Sequence, residues 1–481
     1  MFLGRDNELD SLKSLLNKRT SSLVALRGRR RIGKSTLVEE FAKRYSLRFI
    51  ELDGLMPRKD LTNQDILDDF IEKLSLQTGK SLPQVKNWNE AFAILDEQIN
   101  DDEWQVVLLD EISWMGREDP DFPGRLKSAW DTRLKKHDRL ILVICGSVSS
   151  WIRKNILESA GFAGRFARDI VLRELPLSLC RNFWGRTADR IAPREILDVL
   201  SITGGIPRYL EEIDPALSAD DNIRRLCFHR DGTLFKDFKA IFDQIFGEEA
   251  VVKRQILNLL ADGAKSCSEI AVAMSVQRGG SISESLDVLA ESGFVAKDEG
   301  YNPETGKPAR QSRYRISDNY TRFYLKYIAP HETEILADRY AFDTLEMLPG
   351  WDTVLGLQFE NLIVNNVNEL LAPCHLAGIP VLSAAPYLKR GRKKSDGTRE
   401  EGLQIDLLIQ TRKSVCIVEI KRKGEIGEEV EDEVAAKLRL LKVPDGVSKR
   451  VALVYDGHLA PVVRGNGFFD AIINAAELLT P

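Results

Sequence analysis

Between the apolar run Leu23-Val-Ala-Leu26 and the helical pattern that opens Thr36-Leu-Val-Glu-Glu-Phe stands Gly28-Arg-Arg-Arg31-Ile-Gly33-Lys34-Ser35, a match to G-x-x-x-x-G-K-[ST]. That placement calls for a strand, a glycine-bounded turn and a helix in immediate succession, which is the layout of a phosphate-binding loop. Gly28 and Gly33 let the backbone N–H groups of the loop, Arg31 included, wrap nucleotide phosphates. The helix running on through Thr36 points its positive end at the same place. Lys34 is then expected to reach the β- and γ-phosphates, with the Ser35 hydroxyl on Mg²⁺.

The surrounding pattern agrees with an α/β fold. Apolar runs at Leu23–Leu26, Phe49–Leu52, Val106–Leu109, Leu140–Cys145 and Ile170–Leu172 alternate with helical segments such as Asn63–Leu76 and Trp88–Ile99. This alternation predicts a parallel sheet with helices on both faces. At 481 residues the chain is too long for one core. Four segments are expected: a P-loop core at 1–178, a helical lid at 179–247 interrupted by Thr203-Gly-Gly-Ile-Pro-Arg208, a winged helix-turn-helix at 248–330, and an α/β domain at 331–481. The third rests on helical patterns at Val252–Leu260, Cys267–Met274 and Ser281–Ser292, followed by a hairpin that returns through Arg313-Tyr-Arg-Ile.

Composition narrows the class. With 43% hydrophobic and 29% charged residues the chain reads as globular. No apolar run approaches a membrane span, and Met-Phe-Leu-Gly-Arg-Asp lacks the apolar segment of a secretory leader, so a cytoplasmic protein without membrane contact is expected. Six cysteines without a C-x-x-C pair indicate neither a zinc site nor a disulfide framework. A net charge of −5 excludes a uniformly basic nucleic-acid binder and leaves local patches to be explained.

The run Val106-Val-Leu-Leu109 ends in Asp110-Glu111, an acidic pair at the carboxyl end of a buried strand. Asp110 is expected to hold Mg²⁺ and Glu111 to polarise the attacking water. The next strand ends at Ser147, placed either to sense the γ-phosphate or to cap a helix at Val148–Ile156, two compatible roles. Arg165, in Gly161-Phe-Ala-Gly-Arg-Phe, reads equally as an arginine finger or as a surface arginine.

Together, Phe2-Leu-Gly-Arg-Asp-Asn-Glu-Leu, the glycine loop, Leu108-Leu-Asp-Glu and Gly204-Gly-Ile-Pro-Arg-Tyr-Leu resemble the archaeal-type ATPases of the STAND branch of P-loop proteins. The resemblance covers roughly the first half of the chain. It implies ATP as the nucleotide, Arg5 and Glu8 near the adenine side, and Pro207 and Arg208 in a lid that responds to the nucleotide. The sequence has no guanine-reading N-K-x-D.

A second constellation lies near the C-terminus, where Leu403-Gln-Ile-Asp406-Leu-Leu-Ile precedes Ser414-Val-Cys-Ile-Val-Glu419-Ile-Lys421. Strand alternation sets Glu419 and Lys421 on one face. Paired carboxylates can share a divalent cation, and a neighbouring lysine can position or deprotonate water. Glu360 on an upstream helix offers a third carboxylate, and Glu433 or Lys437 on the following helix can complete the pocket. This arrangement resembles the PD-(D/E)xK nuclease fold, in the form appended to archaeal-type ATPases. The basic run Lys389-Arg-Gly-Arg-Lys-Lys394 sits on the loop before Asp406, suited to a phosphate backbone. The would-be recognition helix carries Glu284, Asp287 and Glu291, which disfavours deep major-groove reading and leaves protein contact open.

These readings converge on an ATP-driven enzyme acting on DNA, with Mg²⁺, or Mn²⁺ at the nuclease-like site, as cofactor. The alternative is an ATP-dependent regulatory switch whose nuclease-like domain is inactive and whose partner is DNA, another protein or further copies of the chain.

Overall fold

The computed structural model describes residues 2–147, 149–276, 280–309, 312–393 and 399–480. The chain divides into two compact units. One comprises Met1–Glu174, Ile241–Glu248 and Asp287–Gly293; the other comprises Leu175–Ala240, Glu249–Leu286 and Phe294–Pro481.

The first unit is built on parallel strands β1 (Ser22–Gly28), β2 (Arg48–Asp53), β3 (Gln105–Asp110), β4 (Leu140–Gly146) and β5 (Phe166–Leu172), in the order β2-β3-β4-β1-β5. β4 is buried at every position and lies between the glycine-loop strand β1 and the acidic strand β3. Strands covered on both faces need apolar residues at odd and even positions alike, which is why the runs of the sequence mark them. Around the sheet pack helices α1 (Asp6–Lys13), α2 (Lys34–Arg44), α3 (Asn63–Thr78), α4 (Trp88–Glu97) and α5 (Phe122–Thr132). Thr62 starts α3 with a capping box completed by Asp65, and Asn87 caps α4 through the Glu90 N–H. Phe70, Trp88, Phe92 and Phe122 form an aromatic cluster in this core, with Trp88 edge-on to Phe122 at 4.7 Å.

In the second unit α6 (Pro193–Thr203), α7 (Pro207–Leu210), α8 (Ala219–Cys227) and the first part of α9 (Thr233–Phe246) precede α10 (Ala250–Leu260), strand β6 (Lys265–Ser266), α11 (Cys267–Ala273) and α12 (Gly280–Glu291). Strands β7 (Val295–Asp298) and β8 (Arg313–Ile316) then form an antiparallel sheet with β6 in the order β6-β8-β7. The last segment runs α13 (Trp351–Asn365), β9 (Val381–Lys389), β10 (Leu403–Thr411), β11 (Ser414–Ile426), α14 (Glu429–Leu440), β12 (Ser448–Leu459) and β13 (Ala471–Asn474). Its sheet has the order β9-β10-β11-β12-β13, antiparallel through β11 and parallel beyond it. Val430 and Val434 of α14 join Ile405, Ile417 and Leu453 in its core.

The helical patterns of residues 179–330 all appear as helices, but the ends of α9 and α12 pack with the first unit. Glu291 of α12 pairs with Arg153 at 2.5 Å, and Gln244 of α9 accepts a hydrogen bond from Arg30 of the glycine loop.

Candidate functional site

The glycine loop turns where β1 ends. Gly28 has φ +147°, and a Cβ there would lie 2.6 Å from the Leu172 carbonyl oxygen of β5, so no larger residue fits. Arg31 and Gly33 both adopt left-handed backbone conformations, a curl that faces successive N–H groups inward. Lys34 opens α2 and is buried; its Nζ donates to the carbonyl oxygens of Gly28 at 3.1 Å and Arg29 at 3.0 Å. Ser35 Oγ donates to Asp110 Oδ2, across from the tip of β3, while Asp110 Oδ1 accepts the Glu111 N–H at 2.8 Å. Thr36 is exposed on the first turn of α2.

Glu111 itself sits in the left-handed region, at φ 45° and ψ 46°, a strained backbone that surrounding contacts must hold. Ser147, at the end of β4, supplies them: its hydroxyl lies 2.8 Å from both carboxylate oxygens and its N–H is 3.1 Å from Oε2. Lys34, Ser35, Asp110, Glu111 and Ser147 are thus gathered at the carboxyl ends of three adjacent strands. The Ser147–Glu111 contact leaves no signal in the sequence, because it depends on β4 lying beside β3. Val148, at the start of the helix expected there, lies outside the described residues.

Arg5 donates to the carbonyl oxygens of Ile32, at 3.2 Å, and Arg173, at 2.7 Å, and so braces the glycine loop against the end of β5. Glu8 is 3.8 Å from its guanidinium. Arg165 makes a two-pronged pair with Asp131 of α5, at 2.9 and 2.8 Å, and holds that carboxyl far below its usual range. Pro207 and Arg208 belong to α7 of the second unit, where Arg208 pairs with Glu212 at 2.7 Å.

In the C-terminal sheet Leu407 pairs with Val418, which places Asp406 across from Glu419; Asp406 Oδ2 accepts the Ile420 N–H at 2.9 Å. Glu419 is buried and bound by two lysines, Lys421 to Oε1 at 3.0 Å and Lys437 of α14 to Oε2 at 2.5 Å. Lys421 also reaches Glu433 at 2.6 Å. Burial works against the Lys421 charge, but Glu433 and Glu419 outweigh it and hold the ammonium above the usual lysine range. Lys421 therefore stays protonated at neutral pH and orients groups rather than accepting a proton. Burial and then Glu419 raise the Asp406 carboxyl, and burial and then Asp406 push Glu360 of α13 up to about 7. Of the basic run, Arg390 pairs with Glu269 of α11, and Lys394 lies outside the described residues.

Residues 2–213 match the family described as an ATPase domain predominantly from Archaea. The chain carries an archaeal-type ATPase domain. A relative from Methanocaldococcus jannaschii, named only as an uncharacterized protein, is 22% identical over 430 residues, 88% of either chain. Among solved structures, a Walker-type ATPase of Pyrococcus abyssi aligns with a TM-score of 0.46 and 17% identity over 67% of this chain and 96% of that one. The ORC2 protein of Aeropyrum pernix, in ADPNP and ADP complexes, aligns with a TM-score of 0.40 and 16% identity over 69% and 94%.

The ATPase domain offers Mg²⁺ a fitting donor set, a serine hydroxyl already bonded to a carboxylate at the mouth of a phosphate loop. The C-terminal cluster fits a divalent cation differently. Among the described residues no group of three or more His, Cys, Asp or Glu side chains is placed to hold a metal alone. Asp406 and Glu419 instead form a carboxylate pair, and Mg²⁺ is commonly held by one or two carboxylates together with substrate phosphates. Among the described residues no helix is long and apolar enough to cross a membrane.

Proposed function

We propose that this protein hydrolyses ATP at the glycine loop and uses its C-terminal domain to hydrolyse DNA phosphodiesters with a divalent cation. In the ATPase domain Lys34 binds the β- and γ-phosphates, Ser35 and Asp110 hold Mg²⁺, and Glu111, oriented by Ser147, polarises the attacking water. The adenine-side role of Arg5 and the nucleotide response of Pro207 and Arg208 belong to the same proposal.

The observation that carries the nuclease reading is the meeting of Asp406, Glu419 and Lys421 on one face of β10 and β11, with the charge of Asp406 felt by Glu360. The element order helix, strands, helix, strand around that face supports a PD-(D/E)xK-like domain. A divalent cation bound there would supply Lewis-acid stabilisation of the phosphorane charge. Asp406 and Glu419 would hold it, and the protonated Lys421 would orient the water. The order of α10, β6, α11, α12 and the hairpin β7–β8 supports a winged helix between the two activities. Glu291 is engaged by Arg153 of the same chain, and Glu284 and Asp287 keep that helix acidic, which disfavours groove reading.

The test is cleavage of linear, circular and single-stranded DNA by the purified protein with Mg²⁺ or Mn²⁺, with and without ATP, beside Glu419→Ala. Cutting by the wild type alone supports the reading and shows whether ATP gates it. No cutting, with ATP still turned over, favours the second reading, a regulatory switch. The engagement of both Glu419 oxygens by lysines is the observation on that side.

A further inference from the structure

Glu419 has two lysines, and the metal-based chemistry proposed above needs one. Lys421 lies on the same strand face and is shared with Glu433. Lys437 reaches across from α14 to the other oxygen, Oε2, at 2.5 Å. Glu419 is 1% exposed, so its charge must be balanced by a partner inside the domain. Lys437 does that with a single ammonium, on the oxygen that Lys421 leaves free.

Resting on that reading of the C-terminal site, we infer that Lys437 is an internal counter-ion competing with the divalent cation for Glu419, so that metal loading requires Lys437 to move aside. Two features support a side chain able to leave. Lys437 carries its charge on a long flexible stem, and its side chain keeps 19% of its surface exposed where Glu419 keeps 1%. Without Lys437 the carboxylates Asp406 and Glu419 would keep Lys421, which Glu433 shares, an excess of negative charge that a divalent cation neutralises. The residue would thus set how much free metal the site demands, and an anionic phosphodiester that draws off the lysine would favour loading.

The test is Mn²⁺ binding to the full-length, nucleotide-free protein, followed by calorimetry and by electron paramagnetic resonance. The C-terminal event is the one that Glu419→Gln removes. Lys437→Met is expected to tighten that event by about tenfold or more, whereas Lys437→Arg, which keeps the charge, should stay near wild type. Lys437→Gln, with a neutral donor left to Glu419, should follow Lys437→Met and stands in for it if the methionine variant folds poorly by circular dichroism. Unchanged or weaker binding in both neutral variants, with Glu419→Gln still abolishing the event, overturns the competition while leaving the metal site standing. If no variant shows an event that Glu419→Gln removes, the metal site fails and the competition with it.

Discussion

Ser147 donates to the Glu111 carboxylate from both its hydroxyl and its backbone N–H, the hydroxyl at 2.8 Å from each oxygen. A residue at the end of the strand between the glycine loop and the acidic pair is thus committed to the proposed base. Replacing Ser147 by Ala removes the hydroxyl contacts but not the N–H, so Glu111 loses part of its orientation. We expect kcat for ATP to fall about tenfold with KM nearly unchanged, and Ser147→Thr to recover most of the loss. A raised KM at constant kcat would mean that Ser147 serves the nucleotide instead.

Lys34 bonds two carbonyl oxygens of its own loop, Gly28 and Arg29. Lys34→Ala removes two hydrogen bonds within the loop but no member of the apolar core beneath the sheet, and should not unfold the domain. Turnover should drop by about 100-fold or more with the circular dichroism spectrum unchanged. Retained turnover would refute the P-loop assignment.

Arg165 is engaged within its own chain by Asp131, which Lys127 also approaches at 3.0 Å. To act as an arginine finger it must abandon a two-pronged partner. We expect Arg165→Ala and Asp131→Asn to leave kcat within about twofold of wild type, independent of protein concentration. A collapse in Arg165→Ala alone, restricted to high protein concentration, would restore the finger.

Much of the first unit was legible because its strands are buried on both faces. β4 has no polar side chain to break its run, and the expected Leu140–Cys145 falls one residue short of the observed strand. β5 shows the limit: Phe166 to Val171 are only partly covered, so just the end of this edge strand stood out as apolar. Motif residues were legible for a different reason, since Gly28, Lys34, Ser35 and the acidic pair are fixed by chemistry at short spacing. What stayed hidden are pairings set by strand order and by packing between distant segments. Ser147 meets Glu111 only because β4 neighbours β3; Lys437 is expected at the C-terminal pocket, but its choice of the Glu419 Oε2 oxygen depends on how α14 folds back on β11. Asp198 and Arg422 are 224 positions apart and pair all the same.

That last pair links α6 to β11 within the second unit. The Arg422 side chain is 3% exposed, also lies 3.3 Å from Asp456, and stacks over the Phe359 ring at 5.7 Å. Arg422→Met would leave the 8% exposed Asp456 and the 26% exposed Asp198 to the more distant Arg194, 4.0 Å from Asp456, at a cost of about 3 kcal/mol, or about 100-fold faster exchange of the amides of α6 and β11. Asp198→Asn combined with Arg422→Met should cost less than the sum of the two single changes. Strict additivity, read by hydrogen exchange, would show that the two side chains do not support each other.

Glu360 offers a pH signature. Burial first, then the neighbouring Asp406, raise its carboxyl from the ordinary 4.5 to about 7, against the opposing pull of Arg322, Arg315 and Lys437. A carboxyl raised on folding is bound more tightly to its proton in the native state, so its favourable contribution is complete below pH 4.5 and is lost as pH rises through 7. The loss is at most about 3 kcal/mol at 1.36 kcal/mol per unit. Glu360→Gln, neutral at every pH, should flatten this part of the profile between pH 4.5 and 7, measured as hydrogen-exchange protection of α13 and β10. A divalent cation at Asp406 and Glu419 would favour ionised Glu360, so saturating Mn²⁺ should lower the midpoint in wild type and leave Glu360→Gln unmoved. Identical pH slopes in wild type and Glu360→Gln would mean that Glu360 ionises freely and stands apart from the carboxylate pair.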